Sequence, residues 1–506
     1  MVTKSSEPFE IMGRVATDRR EQPSSEKSRG RRRVFNSVCW SLADYGFGRV
    51  FSFAATVYVA RVVGTVAFGV YSVAVSFAQT AGVFVEFGTS AYGTRQVAQQ
   101  YPNHAKDVGS ITYLRLSMAV IVSVVCCLVI CFLPSFASYR VPLLAACGYL
   151  ISFSLAQDWY FGGLRLFRLT AVANLLKGAG LLLGCLLLVR RPQDVPLALI
   201  MYAFAPLISA GFLTLYSCRR LRMNPFSNPD YLAMLASGRR SLAFAGNSLG
   251  LALYQVAPIY VLLWLGTMGQ VGTFSAAQRP VLIAASAVLP LSSSFYPYIS
   301  EDYANPRRFR ESQNLFQHLV LIFTVPLGVI CFCYGGYLMS ILYGRSYIEA
   351  QWPFQVMSLV IPLCALRLTF THPLLASHRQ NVVAALAVKA TVATALLSYV
   401  LFLAWGAQGI AWAVVFGEAF FTVAAMHSAR RLLSLPVFTP AWFPVGLAAC
   451  AMSLAALVPV QPIIRIAMSV TLFSIVMLAF DDLAKRTAQI ILGRLLSRRV
   501  DEDLVL

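Results

Sequence analysis

The sequence predicts an all-α polytopic membrane protein of about fourteen transmembrane helices, arranged as two six-helix lobes in parallel repeat plus two C-terminal helices. Three observations carry this. Of 506 residues, 58% are hydrophobic and 12% charged, with mean hydropathy +0.67, whereas a soluble domain carries about 25% charged residues. Apolar stretches of about 20 residues, the length that crosses roughly 30 Å of hydrocarbon, follow one another almost back to back from Asn36 to Phe480. GTVAFGVYSVA at 64–74 recurs as GTMGQVGTFSAA at 266–277.

Residues 1–33 hold no apolar run fit for a signal-peptide core and read as a disordered basic cytoplasmic tail. Its Arg29, Arg31, Arg32 and Arg33 abut the first span, where they fix topology; a lipid-headgroup or nucleic-acid patch is the alternative. Spans 1–6 (36–59, 68–90, 111–133, 141–162, 171–189 and 195–217) make an N-lobe over 34–217. A cytoplasmic linker, 218–240, leads to a C-lobe over 241–427 with spans 7–12 (241–264, 274–297, 315–334, 354–375, 383–404 and 407–427). Spans 13 and 14 lie within 441–480, and 481–506 is a cytoplasmic tail.

With the N-terminus in the cytoplasm, 29 of the 41 Lys and Arg fall in cytoplasmic segments, six in opposite loops and six within spans. That asymmetry satisfies the positive-inside rule, puts both termini in the cytoplasm, and accounts for the net charge of +20 without a nucleic-acid partner. The loops are too short for an extramembrane catalytic domain, so the protein is read as a non-enzyme. The longest outer loop, 335–353, holds one Arg and one Glu, which argues against a glycosyltransferase, polymerase or ligase. The 11 cysteines lie mostly in spans, as Cys126, Cys127 and Cys131 do, without Cys-x-x-Cys pairs; no disulfide framework, metal or cofactor is predicted.

In the repeat, Gly69, Tyr71, Ser72 and Ala74 match Gly272, Phe274, Ser275 and Ala277 at an offset of 203 residues. It pairs span 2 with span 8. A shift of six spans keeps the orientation, so the halves are related about an axis normal to the membrane.

Six motifs in order then carry a resemblance: Gly69-Val70-Tyr71-Ser72, Glu86-Phe87-Gly88, Asp158-Trp159-Tyr160-Phe161-Gly162-Gly163-Leu164, Gly272-Thr273-Phe274-Ser275-Ala276-Ala277-Gln278-Arg279, Tyr343-Gly344-Arg345-Ser346-Tyr347-Ile348-Glu349-Ala350 and Gly406-Ala407-Gln408-Gly409-Ile410-Ala411. Over 34–430 the chain resembles the multidrug/oligosaccharidyl-lipid/polysaccharide (MOP) exporter superfamily, and within it the bacterial O-antigen and capsule-repeat flippases of the Wzx type. The resemblance implies two lobes around a V-shaped cavity that opens alternately to the two faces, without ATP hydrolysis. No G-x-x-x-x-G-K-[ST] stretch occurs. It further implies a multi-pass protein of the bacterial inner membrane that moves an undecaprenyl-pyrophosphate-linked oligosaccharide for surface polysaccharide synthesis. The implied partners are the lipid-linked oligosaccharide, membrane lipids, a polysaccharide polymerase and a chain-length regulator. Gly162-Gly163 departs from the Gln-Gly of many relatives, and fourteen spans are similar to the lipid II flippases, which leaves the cargo open. A cation-coupled drug exporter of the same superfamily is the alternative.

A charge at mid-bilayer costs about 2.5–3.5 kcal/mol on insertion scales, so charged residues kept there are candidates for function. Arg49, 13 residues into span 1, Arg367 in span 10 and Glu418 in span 12 fall near span centres; Lys177 is intermediate. Arg279 with Gln278 lies within two turns of the outer face, where snorkelling and a cavity role compete. Arg115, Lys389, Asp158 and Glu86 lie nearer the cytoplasmic ends, where snorkelling is the plainer account. Arg49, Arg279, Gln278, Lys177 and Arg367 are expected to line the cavity and meet a pyrophosphate, with Asn36, Gln79, Asn247 and Gln255 for sugar hydroxyls. Asp44, Glu418 and Glu86 are expected to form structural ion pairs or to couple transport to an ion.

Overall fold

The computed structural model describes residues 25–481 apart from 101–104, 227–230, 290, 293–294, 296–298, 300–304, 378, 437–438 and 440–441. The side chains of 25–47, and so of Asn36 and Asp44, and that of Asn247 fall outside the described part. Regular structure among the described residues is helical. The helices are α1 (Ser25–Glu86), α2 (Thr89–Gln100), α3 (Ala105–Phe132), α4 (Arg140–Ser154), α5 (Asp158–Gly163), α6 (Phe167–Leu188), α7 (Val195–Arg220) and α8 (Tyr231–Leu265). They continue with α9 (Met268–Ser286), α10 (Pro306–Cys333), α11 (Gly335–Tyr343), α12 (Gln351–Met357), α13 (Val360–Ala376), α14 (Gln380–Trp405), α15 (Ala407–Leu433), α16 (Trp442–Ala455) and α17 (Pro462–Phe480).

Eleven described helical segments are long and apolar enough to cross a membrane. The first, Gly48–Glu86, holds spans 1 and 2 together, and Trp442–Ala455 is a shorter apolar helix. With α9, they account for the fourteen spans. The chain is a multi-pass membrane protein.

Three boundaries differ from the sequence reading. Helix α1 starts at Ser25, inside the expected disordered tail, where Glu, Lys and Arg are good helix formers. Its only non-helical residue is Gly64, at φ 76° and ψ 176°. Residues with a Cβ are barred from that conformation, so one glycine does the work of the expected loop between spans 1 and 2. Helix α8 starts ten residues early at Tyr231 and runs 35 residues, about 52 Å at 1.5 Å per residue. Part of the expected linker is therefore helix, seated on the N-lobe with Gly238 beside Leu114.

Helix α9 starts six residues early at Met268 because Thr267 and Gln270 form a capping box. Thr267 Oγ1 accepts from the Gln270 amide (3.3 Å), and the Thr267 amide donates to Gln270 Oε1 (3.0 Å). Residues 271 to 278 are buried without interruption. A helix enclosed on every side by protein needs no lipid-facing apolar stripe, which explains how α9 tolerates Thr273, Ser275, Gln278 and Arg279.

We call the face with the turns at Gly64, Gly344 and Gly406 distal. The described C-terminus returns to the opposite, proximal face, where His318 near the start of α10 hydrogen-bonds Asp481. At the other end of α10, Tyr334 Oη meets Ser469 Oγ at 2.7 Å, so α10 holds α17 at both levels. One hydrophobic core joins the lobes on the distal side, where Phe68, Tyr71 and Leu199 pack in one cluster with Phe274, Tyr347 and Ile410. On the proximal side the cores part. One contains Phe316, Phe370 and Phe421 of the C-lobe with Met452 and Phe473, and the other Tyr92, Trp159, Phe161 and Leu213 of the N-lobe. The lobes thus share a distal core and keep separate proximal cores, with the start of α8 seated on the N-lobe on the proximal side.

Candidate functional site: the junction of the lobes

The distal junction is built on the repeat. A Cβ added to Gly69 would lie 2.0 Å from the Met268 carbonyl oxygen, and one added to Gly272 would lie 1.9 Å from that of Thr65. Met268 and Gly272 follow Thr65 and Gly69 by 203 residues each, so the contact is two-fold symmetric. The recurrence of GTVAFGVYSVA therefore marks the surface where the halves meet. Only a hydrogen at each Gly Cα allows the backbones so close.

Around this crossing lie contacts between the lobes. Tyr347 Oη donates to the Ala60 carbonyl (2.8 Å). Arg61 Nε donates to the Leu342 carbonyl (2.7 Å) and its Nη2 to that of Ile341. The Phe68 ring meets Tyr347 edge-on at 6.1 Å.

Arg279 reaches from α9 across this junction. Its guanidinium carbon stands 5.4 Å from the Phe68 ring centre and 5.5 Å from that of Tyr71, and Nη2 is 3.5 Å from Ser72 Oγ. Counted from Met268, Arg279 is 11 residues along the helix, about 16 Å. The sequence reading placed it within two turns of the outer end; the capping box adds a turn, so three turns of helix precede it, buried from 271 to 278. Gln278, its neighbour, is buried and donates to the Gln255 carbonyl (3.2 Å), so it ties α9 to α8.

Arg367 and Glu418 come together within the C-lobe. Arg367 Nε lies 2.6 Å from Glu418 Oε1, Tyr254 Oη donates to Oε2 at 2.6 Å, and the guanidinium stacks on Phe421 at 4.4 Å. The carboxylate, 2% exposed, has a donor on each oxygen. Arg115 is also enclosed, at 2% exposure, where snorkelling was expected. Its three nitrogens donate to Thr89 Oγ1 (2.7 Å), the Ala156 carbonyl (2.9 Å) and Ser90 Oγ (2.6 Å). Glu86, half-buried, and Asp158 are within electrostatic reach of it.

Arg49 is exposed on α1, 15 residues before Gly64 and so about 22 Å further along the helix from the distal turn. Lys177 is half-buried on α6, the helix that α1 crosses at the Gly48–Gly178 contact. The sequence reading found Arg279 and the glycines but missed Phe68, Arg61 and Tyr254. The Thr267-x-x-Gln270 cap is a local pattern that the sequence reading did not use, whereas nothing local marks the aromatic partners.

Glu418→Gln and Arg367→Met are each expected to lower abundance and melting temperature sharply, because an unpaired buried charge or half-satisfied network costs about 3–5 kcal/mol. Replacing both partners by apolar residues, Arg367→Met with Glu418→Leu, should recover most of the loss. Thermal unfolding of the purified protein checks this. Normal stability of Glu418→Gln, with transport no longer responding to an ion gradient, would instead assign Glu418 to coupling.

Residues 34–302, more than half of the chain, match the family described as polysaccharide biosynthesis protein. The chain belongs to that family. No curated protein sequence matches it. Its fold is that of MOP-superfamily transporters. It is similar to lipid II flippase MurJ in an inward closed conformation, with TM-score 0.70 and 12% identity over 88% of this chain and 98% of that one. It is similar also to an inward-facing multidrug resistance MATE family transporter, with TM-score 0.60 and 13% identity over 78% and 98%. A MOP superfamily transporter from Pyrococcus furiosus, described as having a binding pocket of reverse polarity, aligns with TM-score 0.53 and 13% identity over 79% and 95%. The motifs from Gly69 to Arg279 all lie inside the matched region.

Proposed function

We propose that the protein is a flippase that carries an undecaprenyl-pyrophosphate-linked oligosaccharide from the inner to the outer leaflet of a bacterial plasma membrane, for O-antigen, capsule or exopolysaccharide synthesis. Both termini are cytoplasmic in this reading, and a polymerase and chain-length regulator would take up the product. The observation that carries it is Arg279, a cation held at mid-depth where the lobes meet, with no carboxylate partner among the described ion pairs. Its five N–H donors suit the oxygens of a pyrophosphate. A distal core shared by both lobes, with separate proximal cores, suits a transporter that opens to the leaflet where such a cargo is made. Arg49 and Lys177 add positive charge on the N-lobe side.

Deleting the gene should leave the lipid-linked sugar accumulated on the inner leaflet and surface polysaccharide absent. Heightened drug sensitivity without any accumulated lipid would move the assignment to a cation-coupled exporter.

A further inference from the structure

Four arginines are wholly or partly enclosed among the described residues; Arg465 is held by the Val460 and Ala456 carbonyls, and the surroundings of the other three differ. Arg115 has three hydrogen bonds of 2.9 Å or less. Arg367 has a carboxylate at 2.6 Å. Arg279 has two aromatic rings and a single hydroxyl at 3.5 Å, the outer limit of a hydrogen bond. Most of its donors are uncommitted among the described residues. The charge is also one-sided: 203 residues earlier, the matching position on span 2 is the buried Ser76.

We propose that Phe68 and Tyr71 form an aromatic holding site for the Arg279 guanidinium, so that one cation closes the distal seal until an anionic cargo headgroup draws it off the rings. The proposal rests on the flippase reading and adds to it two positioning residues and a trigger. Phe68 and Tyr71 belong to the N-lobe and Arg279 to the C-lobe, so the cation–π contacts act directly between the lobes. A ring quadrupole holds a guanidinium weakly, shifting an equilibrium roughly three- to thirtyfold per contact. Phosphate oxygens bind the same group in a bidentate fork and with full charge. An anion that takes Arg279 must displace a contact of the sealed state, and by linkage it shifts the lobes toward distal opening.

The test uses the full-length protein in lipid nanodiscs, with sodium pyrophosphate as the probe. The readout is amide hydrogen exchange of 60–72 and 341–350, the two sides of the seal. Without anion, Phe68→Leu, Tyr71→Leu and Arg279→Gln should each raise exchange, and Tyr71→Phe, which keeps the ring, should not. Pyrophosphate should raise exchange in the unmodified protein. In Tyr71→Leu it should act at roughly three- to tenfold lower concentration, since the anion no longer competes with that ring. In Arg279→Gln it should do nothing. A merely structural role for Tyr71 would change basal exchange but leave the half-effective concentration where it was, and that result would overturn the proposal. So would an unmodified protein indifferent to pyrophosphate. An intact pyrophosphate response beside a gene deletion that accumulates no lipid-linked sugar would support the holding site and strike only the identity of the cargo.

Discussion

Gly69→Ala combined with Gly272→Ala is expected to lower polysaccharide export at least tenfold at unchanged protein abundance. Each new Cβ would fall about 2 Å from a backbone carbonyl oxygen, at 2.0 Å for Gly69 and 1.9 Å for Gly272. Neither oxygen can swing away as a side chain could, so the helices must separate. Overpacking of this kind costs about 1–3 kcal/mol per site. The cost falls on the state in which the lobes touch distally and leaves the separated state free of it. The proximal cores of the lobes, which do not include these glycines, should keep the protein folded. Thermal unfolding and immunoblotting of the same cells separate loss of transport from loss of protein. Leucine at both positions should hold the distal side open, visible as permanent labelling of a cysteine placed at Ser76, which is buried in the sealed state. Full export from the double alanine variant would show that the glycine crossing is not used in transport.

Arg279→Ala and Arg49→Ala should insert at normal levels, since removing a charge from hydrocarbon eases insertion, yet lose most export. Lysine at either position should retain part of it, because a point charge keeps the attraction and loses the bidentate geometry. This outcome contrasts with that expected at Arg367 and Arg115, whose partners are already saturated and whose loss should reduce the amount of folded protein. Surface polysaccharide measured against protein abundance in the same cells sorts the four arginines into the two classes. Unimpaired export from the Arg49→Ala, Arg279→Ala double variant would falsify the assignment of a cationic cargo path.

The sequence alone determined the number and order of the spans, the duplication and the family. These follow from composition and from residues adjacent in the chain: an apolar run long enough to cross hydrocarbon is a helix in a membrane whatever its neighbours, because its backbone groups have no other partner there. It also marked each arginine as costly. What it could not decide was the reason each one is tolerated, because that depends on residues far away in the chain. Arg367 is paired with a carboxylate 51 residues on; Arg115 is enclosed by a hydroxyl 26 residues before it and a carbonyl 41 residues after it. Arg279 faces aromatic rings more than 200 residues away. Even the two matching glycines, plain in the sequence as a repeat, disclosed only in the tertiary structure that they touch, since whether two similar segments pack together depends on how the lobes are placed and not on their similarity.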